Sequence, residues 1–141
     1  MEKVSIFTIT KNGIKIGLEL KKSSPSWQVY APSKFSDNNP QIVWYSEVTS
    51  NKIAELFKTN DALVCIFSLG AVIRLISPYI KDKKTDPAVL VIDDKAKFVI
   101  SVLSGHIGGA NQLTEEIASK LGSIAVVTTA ADVNKTIAVD L

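Results

Sequence analysis

Ala88-Val89-Leu90-Val91-Ile92-Asp93-Asp94-Lys95-Ala96-Lys97-Phe98-Val99-Ile100-Ser101-Val102-Leu103 is the stretch that decides the fold. Residues 88–92 and 98–103 are two apolar runs rich in β-branched side chains, which suit the pleated, buried surface of a sheet. Only five residues join them, and a parallel crossover needs a dozen or more. The two runs therefore form an antiparallel hairpin.

Upstream, residues 62–67 are a continuous apolar run, as in a strand buried on both faces. Ser68-Leu69-Gly70 then turns the chain into a helix whose Val72, Ile73, Ile76 and Ile80 are expected to face inward, and Ser77-Pro78 kinks or ends it. Lys81 opens a charged loop that runs to Asp86. Downstream, Ala110, Leu113, Ile117 and Leu121 mark a longer helix, Gly122 stops it, and residues 124–129 predict the last strand. Nearer the amino terminus, residues 4–10 predict a strand closed by Asn12-Gly13, and Ile14 and Leu18 a short helix ending at Lys21-Lys22. Residues 27–31 predict a strand that Pro32 stops, residues 33–40 a surface loop, and residues 41–46 a short strand or an irregular connection. Ile53, Leu56 and Phe57 share one helical face, which Thr49 or Ser50 would cap.

Strands alternating with helices, most of the strands being solid apolar runs, predict an α/β three-layer sandwich: a mainly parallel sheet plus the antiparallel hairpin of residues 88–103. The 141 residues suit a single domain. Ligands of such sheets bind beyond the carboxyl ends of the parallel strands. Four loops, at residues 10–13, 68–74, 104–111 and 128–134, are rich in Gly, Ser, Thr and Asn, and are expected to converge on one cleft there.

A composition of 46% hydrophobic and 21% charged residues excludes a disordered chain. A net charge of +2 with scattered lysines argues against nucleic-acid binding. Cys65 has no partner for a disulfide and reads as core. Trp27 and Trp44 read as core or interface packing. The longest apolar run, residues 62–73, is too short to cross a bilayer, and Met1-Glu2-Lys3 leads straight into a strand pattern without a signal peptide. A cytoplasmic protein is expected, with no membrane partner.

Chemistry concentrates in Ser104-Gly105-His106-Ile107-Gly108-Gly109-Ala110-Asn111, at a strand-to-helix junction. The glycines permit close backbone approach to a ligand, the first helical N–H groups are expected to be free for an anion or oxyanion, and His106 moves protons near neutral pH. A nucleotide- or phosphate-binding reading also fits the glycines. It lacks the Gly-Lys-Ser/Thr ending of a phosphate loop and an acidic residue placed to read a ribose.

Four motifs in series, Gly70-Ala71-Val72-Ile73-Arg74, Lys83-Lys84-Thr85-Asp86-Pro87-Ala88-Val89, residues 104–111 and Thr128-Thr129-Ala130-Ala131-Asp132, resemble the amino-terminal domain of the cobalamin biosynthesis family CbiG, the cobalt-precorrin-5A hydrolases. The resemblance spans residues 61–134, and residues 1–60 add little to it. Family members are typically longer, with a linker region and a carboxy-terminal domain. The resemblance implies opening of the δ-lactone of a cobalt-bearing tetrapyrrole, with release of acetaldehyde and formation of cobalt-precorrin-5B in vitamin B12 synthesis. Cobalt travels with the substrate, so no protein cofactor is implied. A homodimer, or the carboxy-terminal domain, would complete a site wide enough for the macrocycle. The alternative within the family is a domain that holds the tetrapyrrole without catalysing.

Under this reading His106 is the general base, or an axial ligand of the substrate cobalt, or a histidine that simply bonds a loop carbonyl. The N–H groups of Ile107, Gly108 and Gly109 would hold the oxyanion. Arg74, in the turn after Gly70, would grip a substrate carboxylate, with a structural salt bridge as its rival role. Asp86, held extended before Pro87, would orient a partner. Gly70, Ser104, Gly105, Gly108, Gly109, Asn111, Thr128, Thr129 and Asp132 complete the substrate-binding set, each with a capping or packing role as the alternative.

Overall fold

In the computed structural model, which describes residues 1, 3–105 and 108–129, the hairpin forms as the five-residue link requires. Strands β5 (Ala88–Ile92) and β6 (Phe98–Leu103) pair antiparallel, with Val91 opposite Ile100 and a bulge between Val89 and Leu90. Asp93 closes the turn by accepting the N–H of Phe98 at 2.6 Å and that of Lys95 at 3.2 Å. Ala96 takes a left-handed backbone there (φ 54°), and Ser123 Oγ donates to its carbonyl, tying the tip to the start of the last strand.

The remaining strands are β1 (Val4–Thr8), β2 (Gln28–Pro32), β3 (Ile42–Tyr45), β4 (Ala62–Ile66) and β7 (Ile124–Val126). They build one seven-stranded sheet in the order β3-β2-β1-β4-β5-β6-β7. Strands β1 to β5 are mutually parallel, β6 is antiparallel to β5, and β7 runs parallel to β6. Helices α1 (Lys11–Ser23) and α4 (Ala110–Leu121) cover one face, around Ile6, Leu20, Val64, Leu90 and Ile117. Helices α2 (Thr49–Thr59) and α3 (Leu69–Ile76) cover the other, around Phe7, Ile53, Leu63, Val72 and Val91. Successive residues of a strand point to opposite faces, so β1, β4 and β5 are buried at every position. A Cβ added at Gly17 would sit 3.3 Å from methyls of Ile6 and Val29, so α1 lies on the sheet at glycine distance.

Several local expectations change. Helix α2 starts at Thr49 after Val48, without a side-chain cap. Thr10 supplies a true cap, accepting the N–H of Gly13 at 2.9 Å. The last strand stops at Val126 rather than residue 129. Val72 and Ile76 face inward, but Ile73 and Ile80 are 46% and 42% exposed. One residue is 100° of helix rotation, which carries Ile73 off the face that Val72 buries. The 3-10 turn Ser77–Tyr79, with Pro78 in it, then swings Ile80 outward.

The hairpin also overturns the single cleft. Because β6 and β7 run against β1 to β5, the chain leaves their carboxyl ends at the opposite edge of the sheet. Loops after β1 and β4 lie at the carboxyl edge of the parallel strands, and loops after β6 and β7 at the amino edge. Five-residue strands separate the two edges by about 16 Å.

Candidate functional site at the amino edge

The amino edge is built where the starts of β1, β4 and β5 meet the end of β6. Asp61, just before β4, accepts the N–H of Lys3 at 2.8 Å, donates its own N–H to the Lys3 carbonyl, and accepts from the Ala88 N–H. Asn60 is buried beside it, accepting from Ser5 Oγ at 2.6 Å and donating to the Leu56 carbonyl at 3.0 Å. Asp86 Oδ2 accepts the N–H groups of Lys81 and Asp82 at 2.8 and 3.1 Å, which fastens the charged loop in front of β5. Ser104 Oγ donates to the Asp86 carbonyl at 3.2 Å. Two motifs separated in sequence, 83–89 and 104–111, thereby meet.

Ser104 is buried in the left-handed region (φ 58°), an uncommon state for a side-chain-bearing residue. Its carbonyl accepts the Ala110 N–H at 3.2 Å, and the Gly105 carbonyl accepts the Asn111 N–H at 2.9 Å. These first amides of α4, expected to be free for an anion, are engaged by the loop's own carbonyls. A phosphate cradle of the nucleotide-binding type is correspondingly weakened. A Cβ at Gly108 would sit 2.6 Å from Ser104 Cβ and 2.8 Å from its carbonyl oxygen, and one at Gly105 would sit 2.6 Å from Asn111 Oδ1. Gly109 has φ 84°. Close packing at Gly105 and Gly108 and the positive φ of Gly109 each call for glycine there.

Asn111 is the buried centre of the junction. Ser101 Oγ donates to its Oδ1 at 2.7 Å, and its Nδ2 donates to Thr129 Oγ1 at 2.9 Å, so one amide ties β6, α4 and the segment after β7. Thr128 is exposed beside it. His106, Ile107 and Asp132 lie outside the described residues.

Asp86, Ser104, Gly105, Gly108, Gly109, Asn111 and Thr129 are therefore brought together. Gly70 and Arg74 are not. They belong to α3 at the carboxyl edge, where the Arg74 guanidinium folds back toward Gly70 and forms no ion pair among the described residues.

Two depressions adjoin at the amino edge, sharing Met1 and Gly108. One, of about 400 Å³, opens between Trp27, Gln112, Leu113 and Glu116. The other, of about 450 Å³, opens between Asn60, Asp61, Lys84 and Asp86. Sequence reasoning missed Trp27, Asn60, Asp61, Gln112 and Glu116 as lining residues, because their roles depend on strand order. A cavity of similar size, about 470 Å³, lies at the carboxyl edge between Ser33, Tyr45 and Thr49, with the Tyr45 phenol pushed up by burial and donating to the Thr8 carbonyl. Burial likewise pushes the Cys65 thiol up, so it offers no thiolate nucleophile. Among the described residues no cluster of His, Cys, Asp or Glu suits a metal, and no helix is long and apolar enough to cross a membrane.

The sequence profile of the family described as Cobalamin synthesis G N-terminal matches residues 51–132, more than half of the chain. The chain belongs to this family. It is 50% identical over 140 residues to a cobalt-precorrin-5A hydrolase of Priestia megaterium, a match covering 97% of this chain and 37% of that protein. A cobalt-precorrin-5A hydrolase of Salmonella typhimurium strain LT2 is 36% identical over 139 residues, 99% of this chain and 39% of the relative. A solved structure, a putative cobalamin biosynthesis protein G homolog from Sulfolobus solfataricus, superposes with a TM-score of 0.68 at 26% identity, over 95% of this chain and 40% of that one. The chain thus spans about two-fifths of the length of these family members. Residues 1–60, which add little to the motif resemblance, lie almost wholly within the matched region.

Proposed function

We propose that the chain contributes to the hydrolysis of cobalt-precorrin-5A in cobalamin biosynthesis, and that the tetrapyrrole lies along the amino edge of the sheet. The reading is supported chiefly by the 50% identity, over 97% of the chain, to a protein named for that reaction. Two adjoining depressions suit a flat, wide ligand better than one deep cavity does, and each falls within the usual size range of small-molecule sites.

In this proposal water attacks the lactone carbonyl and the tetrahedral oxyanion collapses with loss of the ring C–O bond, leaving a carboxylate and an alcohol on the two-carbon unit. The alcohol then gives up its proton and becomes a C=O as the C–C bond to the macrocycle breaks, so that acetaldehyde leaves while the macrocycle takes the electron pair and a proton to give cobalt-precorrin-5B. His106, which the sequence sets between Gly105 and Gly108, takes the proton from water. N–H groups of the same stretch steady the oxyanion. Lys84, at the rim of the second depression, meets a peripheral carboxylate of the substrate. Asp86, Ser104 and Asn111 act as positioning residues, since their bonds hold the stretch closed rather than point at a ligand. Cobalt enters and leaves with the substrate.

A second reading, in which the chain binds the tetrapyrrole and a further region performs the hydrolysis, is favoured by the engagement of the Ala110 and Asn111 amides within their own loop. Incubation of the 141-residue chain with cobalt-precorrin-5A, following acetaldehyde and the pigment spectrum, separates the two. Acetaldehyde release that His106→Ala abolishes supports catalysis by this chain. A spectral shift without acetaldehyde supports the binding reading. No change in either signal rejects both.

A further inference from the structure

The outer side of α3 is more apolar than a solvent-facing helix has reason to be. Its sequence, Leu69-Gly70-Ala71-Val72-Ile73-Arg74-Leu75-Ile76, holds one charge. Val72 and Ile76 are buried on the sheet, yet Leu69, Ile73 and the following Ile80 are 36%, 46% and 42% exposed. A helix that is hydrophobic all round is ordinarily covered on all sides. At its foot lies a groove of about 320 Å³ with an apolar floor of Phe57, Pro78, Tyr79 and Pro87, rimmed by Lys58, Lys81, Thr85 and Asp86. Ile100, Val102 and Leu103 of β6 border the same core and are only partly buried. Both described helices on this face, α2 and α3, are already accounted for.

The charges around this face are predominantly basic. Arg74, Lys81, Lys83 and Lys84 form no ion pair among the described residues, and Lys58 Nζ rests 5.2 Å from the centre of the Tyr79 ring. The two nearby acids are occupied by backbone: Asp82 accepts from Lys84 N–H and Asp86 from Lys81 and Asp82 N–H. An apolar centre with a basic margin calls for an apolar counterface with an acidic margin. The face of α3 is convex, whereas small-molecule sites are concave, so a protein surface fits it better than the tetrapyrrole does.

Relatives carry further polypeptide beyond the part that this chain matches. This chain accounts for only 37% and 39% of the two hydrolases and 40% of the solved homologue, so most of each of those polypeptides has to pack elsewhere. Interfaces between domains of one chain typically bury about 600–1,500 Å², of the order that a helix face and an adjoining groove provide. We propose that the outer face of α3, with the groove at its foot, docks the further polypeptide region that these relatives carry. An apolar side chain of that region enters the Phe57–Tyr79 groove, and carboxylates around it pair with Arg74 and Lys81.

Cys65 is the sole cysteine and is buried, so an introduced cysteine reports cleanly on access. Ile73→Cys is labelled with a maleimide in the 141-residue chain and in a chimera that appends the remaining region of the Priestia megaterium relative. Glu115→Cys, on exposed α4 of the opposite face, is the reference. Labelling of Ile73→Cys is expected to slow roughly tenfold in the chimera while Glu115→Cys is unchanged. Equal rates at residue 73 overturn the proposal. So does protection in the 141-residue chain that grows with its concentration, which would identify a second copy as the occupant. As an independent check, Ile73→Glu should leave the melting temperature of the 141-residue chain within about 3 °C and lower that of the chimera by more. Equal shifts in the two proteins likewise overturn it.

Discussion

The two edges of the sheet hold their loops in different proportions of side-chain bonding and close backbone packing. At the carboxyl edge, side chains do the holding. Thr10 caps α1 and donates to Asp94 Oδ1 at 2.6 Å, while Asn12 Nδ2 reaches Asp94 Oδ2 at 3.1 Å. At the amino edge, the side-chain bonds of Asp86 and Asn111 are joined by close backbone packing. Gly108 lies against the Ser104 carbonyl, and the Ser104 and Gly105 carbonyls hold the first amides of α4. A polar capping bond can be lost and partly replaced by water, whereas a close backbone approach tolerates no added atom. The amino edge is therefore the less forgiving at its glycines, and two of the four motifs, residues 83–89 and 104–111, meet there.

A matched pair of substitutions tests that contrast most strongly. Gly108→Ala places a methyl 2.6 Å from Ser104 Cβ and should cost about 1–3 kcal/mol, with loss of tetrapyrrole binding measured by the pigment spectrum. Asn111→Ala comes next. It removes the bonds of a buried amide to Ser101 and Thr129 and strands those partners, for about 1–3 kcal/mol in urea unfolding. Its effect on binding should exceed that of Thr10→Ala, which removes a cap for about 1 kcal/mol and leaves the pigment spectrum of the complex unchanged. Gly70→Ala is the smallest. Its new methyl would meet nothing nearer than Arg74 at 4.0 Å within α3, and helical propensity favours it by about 0.5–1 kcal/mol, so a small rise in stability is expected. If Gly70→Ala proved as damaging to binding as Gly108→Ala, the assignment of the site to the amino edge would fail.

Much of the secondary structure was legible because it is local. Residues 62–67 and 88–92 are apolar throughout, and they form β4 (Ala62–Ile66) and β5 (Ala88–Ile92), buried on both faces. The antiparallel pair follows from chain length alone, as five residues cannot make a crossover. Its consequence was harder to read. Inverting β6 carries the loop after it to the other edge, which divides four glycine- and threonine-bearing loops between two sites. The inward placement of Ile73 and Ile80 failed for a related reason. Periodicity gives the spacing of apolar residues but not how much of the helix a neighbour covers. Loop-bound residues such as Asn60 and Asp61 carried no pattern at all, because their partners Ser5 and Lys3 lie more than fifty positions away.

The amino-acid sequence by itself determined the alternation of strands and helices, the antiparallel hairpin, and the glycines and single histidine of residues 104–111. Each rests on hydrophobic period, link length or backbone freedom, which act between near neighbours. Only the tertiary structure decided which loops share an edge, that Asp86 and Ser104 meet, that Asn111 joins three segments, and that α3 keeps an apolar outer side. Those outcomes depend on strand order and direction, set by how the whole set of apolar faces buries itself at once.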